Sequence, residues 1–274
     1  MVYLRCPVCG EILRENEHGF SCISGHSFDK ASSGYVNLLM SNASGKRHGD
    51  DKLMVRSRRD FLDNGFYEQL KNELVKVIDE YCEENSVICD VGCGEGYYTS
   101  AFCKNKEYEV FGIDISKDAL KYASKRCNNF KFAVASAFSL PFENESIDAL
   151  VNVFAPCAYG EFSRVLKNDG VLIKAVPLEN HLWELKKAIY EKPYKNKPEI
   201  VDETLFKRVF SKELQYEIVL ENKKEISDLF SMTPYFYKTS REDTEKLLNL
   251  EYLETTVNFG IEVYKKINGE MNNV

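Results

Sequence analysis

No stretch of these 274 residues approaches the run of about 20 apolar residues that a membrane-spanning helix requires. The N-terminus, MVYLRCPVCG, has no basic start followed by an apolar stretch, so a secretory signal is not expected and a cytoplasmic protein is. There is no internal repeat. A disulfide framework is missing as well, because nine cysteines are an odd number and nothing marks the chain for export. An overall basic charge is also absent: the net charge is −7, a weak argument against a nucleic-acid binder. What remains is ordinary globular material. With 44% hydrophobic residues, 29% charged residues, 17 Phe and 16 Tyr, the chain can build a core and is not disordered.

Composition divides the chain. Residues 1–40 are rich in Cys and Gly and have no long periodic segment, as expected of a small module without an adequate core of its own. Residues 41–60 read as a linker, Ser/Gly/Asn-rich at first and then basic, with 6 Lys or Arg against 2 acids over 46–59. From about residue 61 to 274, strands alternate with helices. Phe66, Leu70, Leu74, Val77, Ile78 and Tyr81 recur at helical spacing. Apolar strands are predicted over 86–92, 109–115, 130–136, 147–155 and 170–176. Helices are predicted after Gly96 and over 117–126, the latter capped by Ser116. Two further strands, 214–220 and 253–267, flank helical segments. Nearly continuous apolar strands separated by helices predict an α/β fold, a parallel sheet covered on both faces.

Residues 6–26 read CPVCGEILRENEHGFSCISGH: Cys-x2-Cys, twelve residues, then Cys-x3-His. Two close pairs of soft ligands on tight turns suit one tetrahedral zinc ion, with Cys6, Cys9, Cys22 and His26 closing the shell. Four protein ligands leave no open position, so the zinc is structural. His18 is the alternative fourth ligand. The remaining cysteines fall in segments read as helix or strand, where a thiol is usually a small buried hydrophobe.

The strongest signal lies at VICDVGCGEGYY (87–98). A buried strand delivers Asp90 to a turn with Gly92, Gly94 and Gly96 at alternate positions, where a cofactor can approach the backbone. A dinucleotide site would show Gly-x-Gly-x-x-Gly. Here an acid precedes Gly-x-Gly-x-Gly, and a carboxylate suits a ligand carrying an ammonium group, as S-adenosylmethionine does. Asp114, at the end of the second strand, is placed for two ribose hydroxyls, and Ser136, ending the third, lies where adenine would sit. The pattern predicts a class I methyltransferase fold, Rossmann-like with a mostly parallel sheet, preceded by the small zinc module.

The chain resembles the A-type large-subunit (23S) rRNA guanine-N1 methyltransferases over nearly its whole length. The similarity is most specific in CPVCGEIL, in 22–39, in HGDDKLMVRSRRDFLDNGFY (48–67), in DVGCGEGYYT (90–99) and in APCAYGEFSRVLKNDG (155–170). It fades over 186–250, expected to be a variable substrate-side region, where only MTPYFYK is familiar. The resemblance implies methyl transfer from S-adenosylmethionine to N1 of a guanine in a hairpin of large-subunit ribosomal RNA. It places the zinc ligands on Cys6, Cys9, Cys22 and His26, and cofactor contacts on Tyr67, Gly94, Glu95 and His181. Ser136 stands where many class I relatives carry Asp.

Guanine N1 carries a proton at neutral pH, so a base is required. Asp50, Asp51, Glu161 and His181 are the candidates, unranked, and the catalytic residue is unknown. Phe154, near the end of the fourth strand, is a candidate to stack on an extruded base or a core residue. RNA contact is expected from the zinc module with the 46–59 patch, and next from EKPYKNKPE (191–199). A small-molecule methyltransferase on the same fold and a non-catalytic zinc-stabilised RNA-binding protein are the competing functions. No membrane partner is expected, and a homodimer is left open.

Overall fold

Residues 2–40 and 51–267 are described by the computed structural model; the linker 41–50, with Lys46, Arg47 and Asp50, lies outside the described residues. Three short strands, β1 (Arg14–Asn16), β2 (Gly19–Ser21) and β3 (Ser27–Asp29), pair antiparallel into a small sheet, and β4 (Val36–Asn37) follows. Then come α1 (Lys52–Asp63), α2 (Glu68–Tyr81), β5 (Val87–Val91), β6 (Glu109–Asp114), α3 (Lys117–Arg126) and β7 (Lys131–Val134). The chain continues with β8 (Ile147–Val153), α4 (Tyr159–Val165), β9 (Leu166–Pro177), α5 (Trp183–Ile189) and β10 (Phe206–Leu220). It ends with α6 (Lys223–Ser231), α7 (Arg241–Leu248) and β11 (Leu253–Lys266).

Local chemistry sets these boundaries. The Asp51 carboxylate accepts from Leu53 N and Met54 N and starts α1, a cap worth about 0.5–2 kcal/mol. In α2, Leu70, Leu74, Val77 and Ile78 bury one face, and the backbone turns extended at Cys82. Ser116 caps α3, accepting from Ala119 N, and Lys125 and Arg126 occupy its last turn, where the helix dipole favours cations.

Eight strands form the main sheet in the order β10-β11-β9-β8-β5-β6-β7-β4. β4, β7, β6, β5, β8 and β9 run parallel, and β11 is antiparallel to both β9 and β10. The expected parallel sheet is therefore mixed at one side. Side chains alternate between faces. Ile88, Ala149, Val151 and Ile173 join α2, α5, α6 and α7 in one core, while Cys89, Leu150 and Leu172 join Phe162 of α4 in the other. Phe162 is fully buried, and its replacement by Ala should cost about 3–5 kcal/mol.

The zinc segment packs onto this second core. Leu4, Leu13, Val36 and Leu38 are buried with Leu140 and Phe142, and β4 extends the main sheet beside β7. One expectation fails. After Gly96 there is only a short 3-10 turn, Thr99–Ala101. The Thr99 hydroxyl donates to Asp90 Oδ2 at 2.6 Å and the Ser100 hydroxyl to Tyr97 O at 2.8 Å, local bonds that compete with an α-helix.

Candidate methyl-transfer site and zinc centre

The chain leaves β5 for β6 and β7 on one side, then returns to β8 on the other, so β5 is a topological switch point. Ligands bind in the crevice at such strand ends. A cavity of about 870 Å³ opens there, lined by the loops after β5, β6, β7 and β8, by residues of α1, by Tyr67 just before α2, by the end of β9 and by the segments after β9 and α6.

The glycine loop forms its floor. Gly92 has φ +81°, and a Cβ there would lie 2.4 Å from Ala155 Cβ, so only glycine lets this loop meet the one after β8. Gly94 has φ +55°, and a Cβ there would meet nothing within 4 Å; it would stand in the cavity. Asp114 ties the loop down: Oδ2 accepts from Gly94 N at 2.9 Å and Oδ1 from Ser116 N at 2.7 Å. Ser136 is on the wall, its hydroxyl oxygen accepting from Phe138 N.

Asp90 differs from expectation. It does not line the cavity but lies behind it, buried and bonded to Thr99. Burial, opposed by that hydrogen bond, pushes its carboxyl up to about 7. Of the acids on the wall, Glu95 is the one that directly follows Gly94. Its Oε2 lies 2.7 Å from an Arg126 guanidinium nitrogen, and Oε1 has no hydrogen-bond partner among the described residues. Burial raises its pKa against the pull of Arg126.

Tyr67, Tyr97 and Tyr98 also line the cavity with hydroxyls that are buried and unpartnered among the described residues. Buried polar atoms are almost always bonded. Three hydroxyls and a carboxylate oxygen left open on one wall fit a polar ligand. That cluster and the Gly94 cradle match S-adenosylmethionine, which carries ammonium, carboxylate and ribose groups.

His181 closes the far side, packed on Phe259 and near Tyr67 and Phe154. Burial, then the charge of Lys186, pushes it down to about 3. Its Nδ1 accepts from Asn258 N at 3.3 Å, which puts the proton of the neutral ring on Nε2. His181 is therefore a donor and no base. Glu161 is equally unsuited, since it accepts from Leu140 N, pairs with Arg164 and is off the cavity wall. Asp51 is occupied as the α1 cap and accepts from the Tyr237 hydroxyl. Asp50 lies outside the described residues. Phe154 stands on the rim, 43% exposed, at φ +55°, with its ring stacked on His181.

At the other centre, the ligand atoms of Cys6, Cys9, Cys22 and His26 lie within 4.8 Å of one another. Cys9 Sγ and Cys22 Sγ are 3.7 Å apart, close to the about 3.8 Å edge of a tetrahedron with metal–sulfur bonds of about 2.3 Å. Cys22 Sγ is 3.3 Å from His26 Nδ1. The donor set fits one structural zinc. His18 is not in the cluster and lines a separate shallow cleft.

Of the basic patch, Lys52 and Arg56 are exposed. Arg58 donates to Met232 O on the cavity wall, and Arg59 pairs with Asp60 and lies over Tyr122. Arg58 of the 46–59 patch, and Asn196 and Glu199 of the 191–199 stretch, expected as RNA contacts, also stand on the cavity wall. They reach it through tertiary packing, with no local motif to announce them.

Residues 82–232 match the methyltransferase-domain family, and residues 4–44 match the RlmA N-terminal zinc-ribbon family. YxjB of Bacillus subtilis (strain 168), provisionally named a 23S rRNA (guanine-N(1)-)-methyltransferase, is 31% identical over 94% of this chain and 95% of its own. The 23S rRNA (guanine(748)-N(1))-methyltransferase of Streptomyces fradiae is 33% identical over 68% of each chain. Among solved structures, the YcgJ protein of Bacillus subtilis superimposes with TM-score 0.51 at 17% identity, over 74% of this chain and all of its own, a likeness of fold. No helix among the described residues is long and apolar enough to cross a membrane.

Proposed function

The chain belongs to the 23S rRNA (guanine-N1)-methyltransferases with an N-terminal zinc ribbon, and from that premise we propose how its residues serve the reaction. The enzyme transfers a methyl group from S-adenosylmethionine to N1 of a guanine in large-subunit ribosomal RNA. One observation supports the assignment to this cavity: the open hydroxyls of Tyr67, Tyr97 and Tyr98 and Glu95 Oε1 belong to residues that line the same cavity as Gly94.

When bound, S-adenosylmethionine supplies a methyl group activated by its sulfonium sulfur. The protein's own work is alignment, which supplies much of the rate in such displacements. Glu95 takes the part expected of Asp90 and holds the ammonium group, its charge kept in place by Arg126. Asp114 would hold the ribose hydroxyls and Ser136 would meet the adenine. Tyr67 and His181 would serve the methyl-donating part as neutral donors. Phe154, held on the rim by its left-handed backbone, offers a ring on which an extruded guanine stacks.

The RNA element is a hairpin, approached from the zinc ribbon with Lys52 and Arg56 of α1. Its methylation belongs in the cytoplasm, where ribosomal RNA is made and assembled.

The test is primer extension on 23S rRNA incubated with the zinc-loaded protein and S-adenosylmethionine. A methyl on N1 blocks Watson–Crick pairing, so reverse transcription should stop one nucleotide before a single guanine. Label incorporated without such a stop would refute the assignment.

A further inference from the structure

Two lysines are fully buried, and both reach the same loop. Lys174 of β9 places Nζ 2.8 Å from Glu199 Oε1 and 2.8 Å from the Tyr159 hydroxyl. Tyr159 in turn donates to Glu199 Oε1 at 3.0 Å. Lys186 of α5 donates to Asn196 Oδ1 at 2.7 Å, and the Asn196 amide donates to Leu178 O. A buried ammonium is costly unless paired. Here the pairings fix residues 196–199 against the sheet, and Asn196 and Glu199 both stand on the cavity wall.

The fixing of Glu199 is one-sided. Both donors use Oε1, and Oε2 has no partner among the described residues. The side chain is 40% exposed. The other carboxylates on the wall, Glu95 and Asp114, belong to the cofactor end, and His181 is a donor. Glu199 shares the cavity wall with Asn152 and Pro156, at and just past the end of β8, the strand end expected to border the methyl acceptor. Guanine presents N1–H and the N2 amino group as adjacent donors, a pattern that a carboxylate matches and that Asn196, with both amide groups occupied, does not.

We propose that Glu199 is the carboxylate that accepts the guanine N1 proton, with Oε2 turned to the base while Lys174 and Tyr159 hold Oε1. This rests on the guanine-N1 reading above. As the methyl group transfers, the N1–H electron pair becomes the N1–C bond. The bond from the methyl carbon to the donor sulfur breaks, its pair staying on sulfur, and the proton moves to Oε2. The half-exposed carboxyl then returns that proton to water.

The test compares wild type, Glu199→Gln and Glu199→Asp as full-length zinc-loaded proteins in single-turnover methylation of the 23S rRNA substrate. Glu199→Gln should bind S-adenosylmethionine within twofold of wild type by calorimetry and methylate about 100- to 10,000-fold more slowly. Its deficit should shrink as pH rises and guanine N1 ionises unaided. Glu199→Asp should recover part of the rate and the wild-type pH profile. A Gln variant within threefold of wild type, or with a deficit equal at every pH, would overturn the role of Glu199 alone. Wild type that methylates another atom would overturn the guanine-N1 reading and this one together.

Discussion

The zinc ribbon and the cofactor wall hold their functional residues by opposite means. In the ribbon, four ligands come from residues 6–26 on two turns, and the metal stands in for a core that three short strands cannot supply. In the wall, residues come from positions as distant as Tyr67 and His181, brought together by the packing of the whole domain. Local fixing by a metal is cheap in chain length; remote fixing needs the whole domain. The two are nonetheless joined. Arg5 N donates to Pro141 O, Leu4 and Leu13 share a core with Leu140 and Phe142, and the preceding segment 135–138 lines the cavity.

That joint predicts the largest effect. Structural zinc contributes roughly 10 kcal/mol to the folding of small modules, so chelation should open the ribbon outright. Losing even part of that through the shared core should lower the melting temperature by about 10 °C. Calorimetry with and without chelator, followed by zinc add-back, measures it. A lost ribbon with an unchanged melting temperature would show that the two regions are independent.

Next comes the loop itself, where two glycines serve different masters. Gly92→Ala should both destabilise the fold, by about 1–3 kcal/mol for strain before any clash with Ala155, and abolish cofactor binding. Gly94→Ala meets no protein atom within 4 Å, so its melting temperature should fall only by the roughly 1–2 kcal/mol of a left-handed residue. Its affinity for S-adenosylmethionine should still drop more than tenfold, read by calorimetry. Normal binding by Gly94→Ala would remove the loop from the cofactor site.

Legibility follows the same division. The zinc cluster and the places of Gly92, Gly94 and Asp114 on the cavity wall were within reach of the sequence because spacing along the chain is what positions them. Tyr67 and His181 came only from family resemblance, since burial among Phe61, Phe154 and Phe259 is invisible in local spacing. The burial of Asp90 is hidden by the same limit. A strand-end acid near glycines reads as a ligand contact, and only the fold shows its oxygen turned to Thr99. Glu199 falls in the 191–199 stretch read as an RNA contact, but its place on the cavity wall has no local signal, because buried Lys174 on another element decides where its side chain lies.

A buried acid behind the wall and a buried imidazole on it should titrate in opposite senses. His181 sits at about 3 folded against 6.5 ordinarily. Between those values the unfolded chain holds a proton that the folded one lacks, so stability is lost as pH falls through the window. Asp90 sits at about 7 against 3.8. There the folded chain holds the extra proton, and stability is lost as pH rises. Urea unfolding from pH 4 to 7 checks both signs. Relative to Asp90→Asn, wild type should lose stability with rising pH; relative to His181→Gln, it should lose stability with falling pH. Each slope is at most about 1.4 kcal/mol per pH unit. Parallel curves would contradict the burial of these groups.

The smallest effect separates a wall built for a ligand from one built for the fold. Tyr67 is a core ring against Phe61, Phe154 and Phe259, yet its hydroxyl has no partner among the described residues. Tyr67→Phe keeps the ring and removes the unsatisfied group. The cofactor-free protein should be as stable as wild type or more so by about 1 kcal/mol, since an orphaned buried hydroxyl is a penalty. Affinity for S-adenosylmethionine should fall about 3- to 10-fold, the worth of one neutral hydrogen bond. Melting curves with and without cofactor would show the two shifts with opposite sign. A variant that is less stable when empty and unchanged in affinity would make Tyr67 a purely structural residue, and the wall's open hydroxyls would cease to mark a ligand.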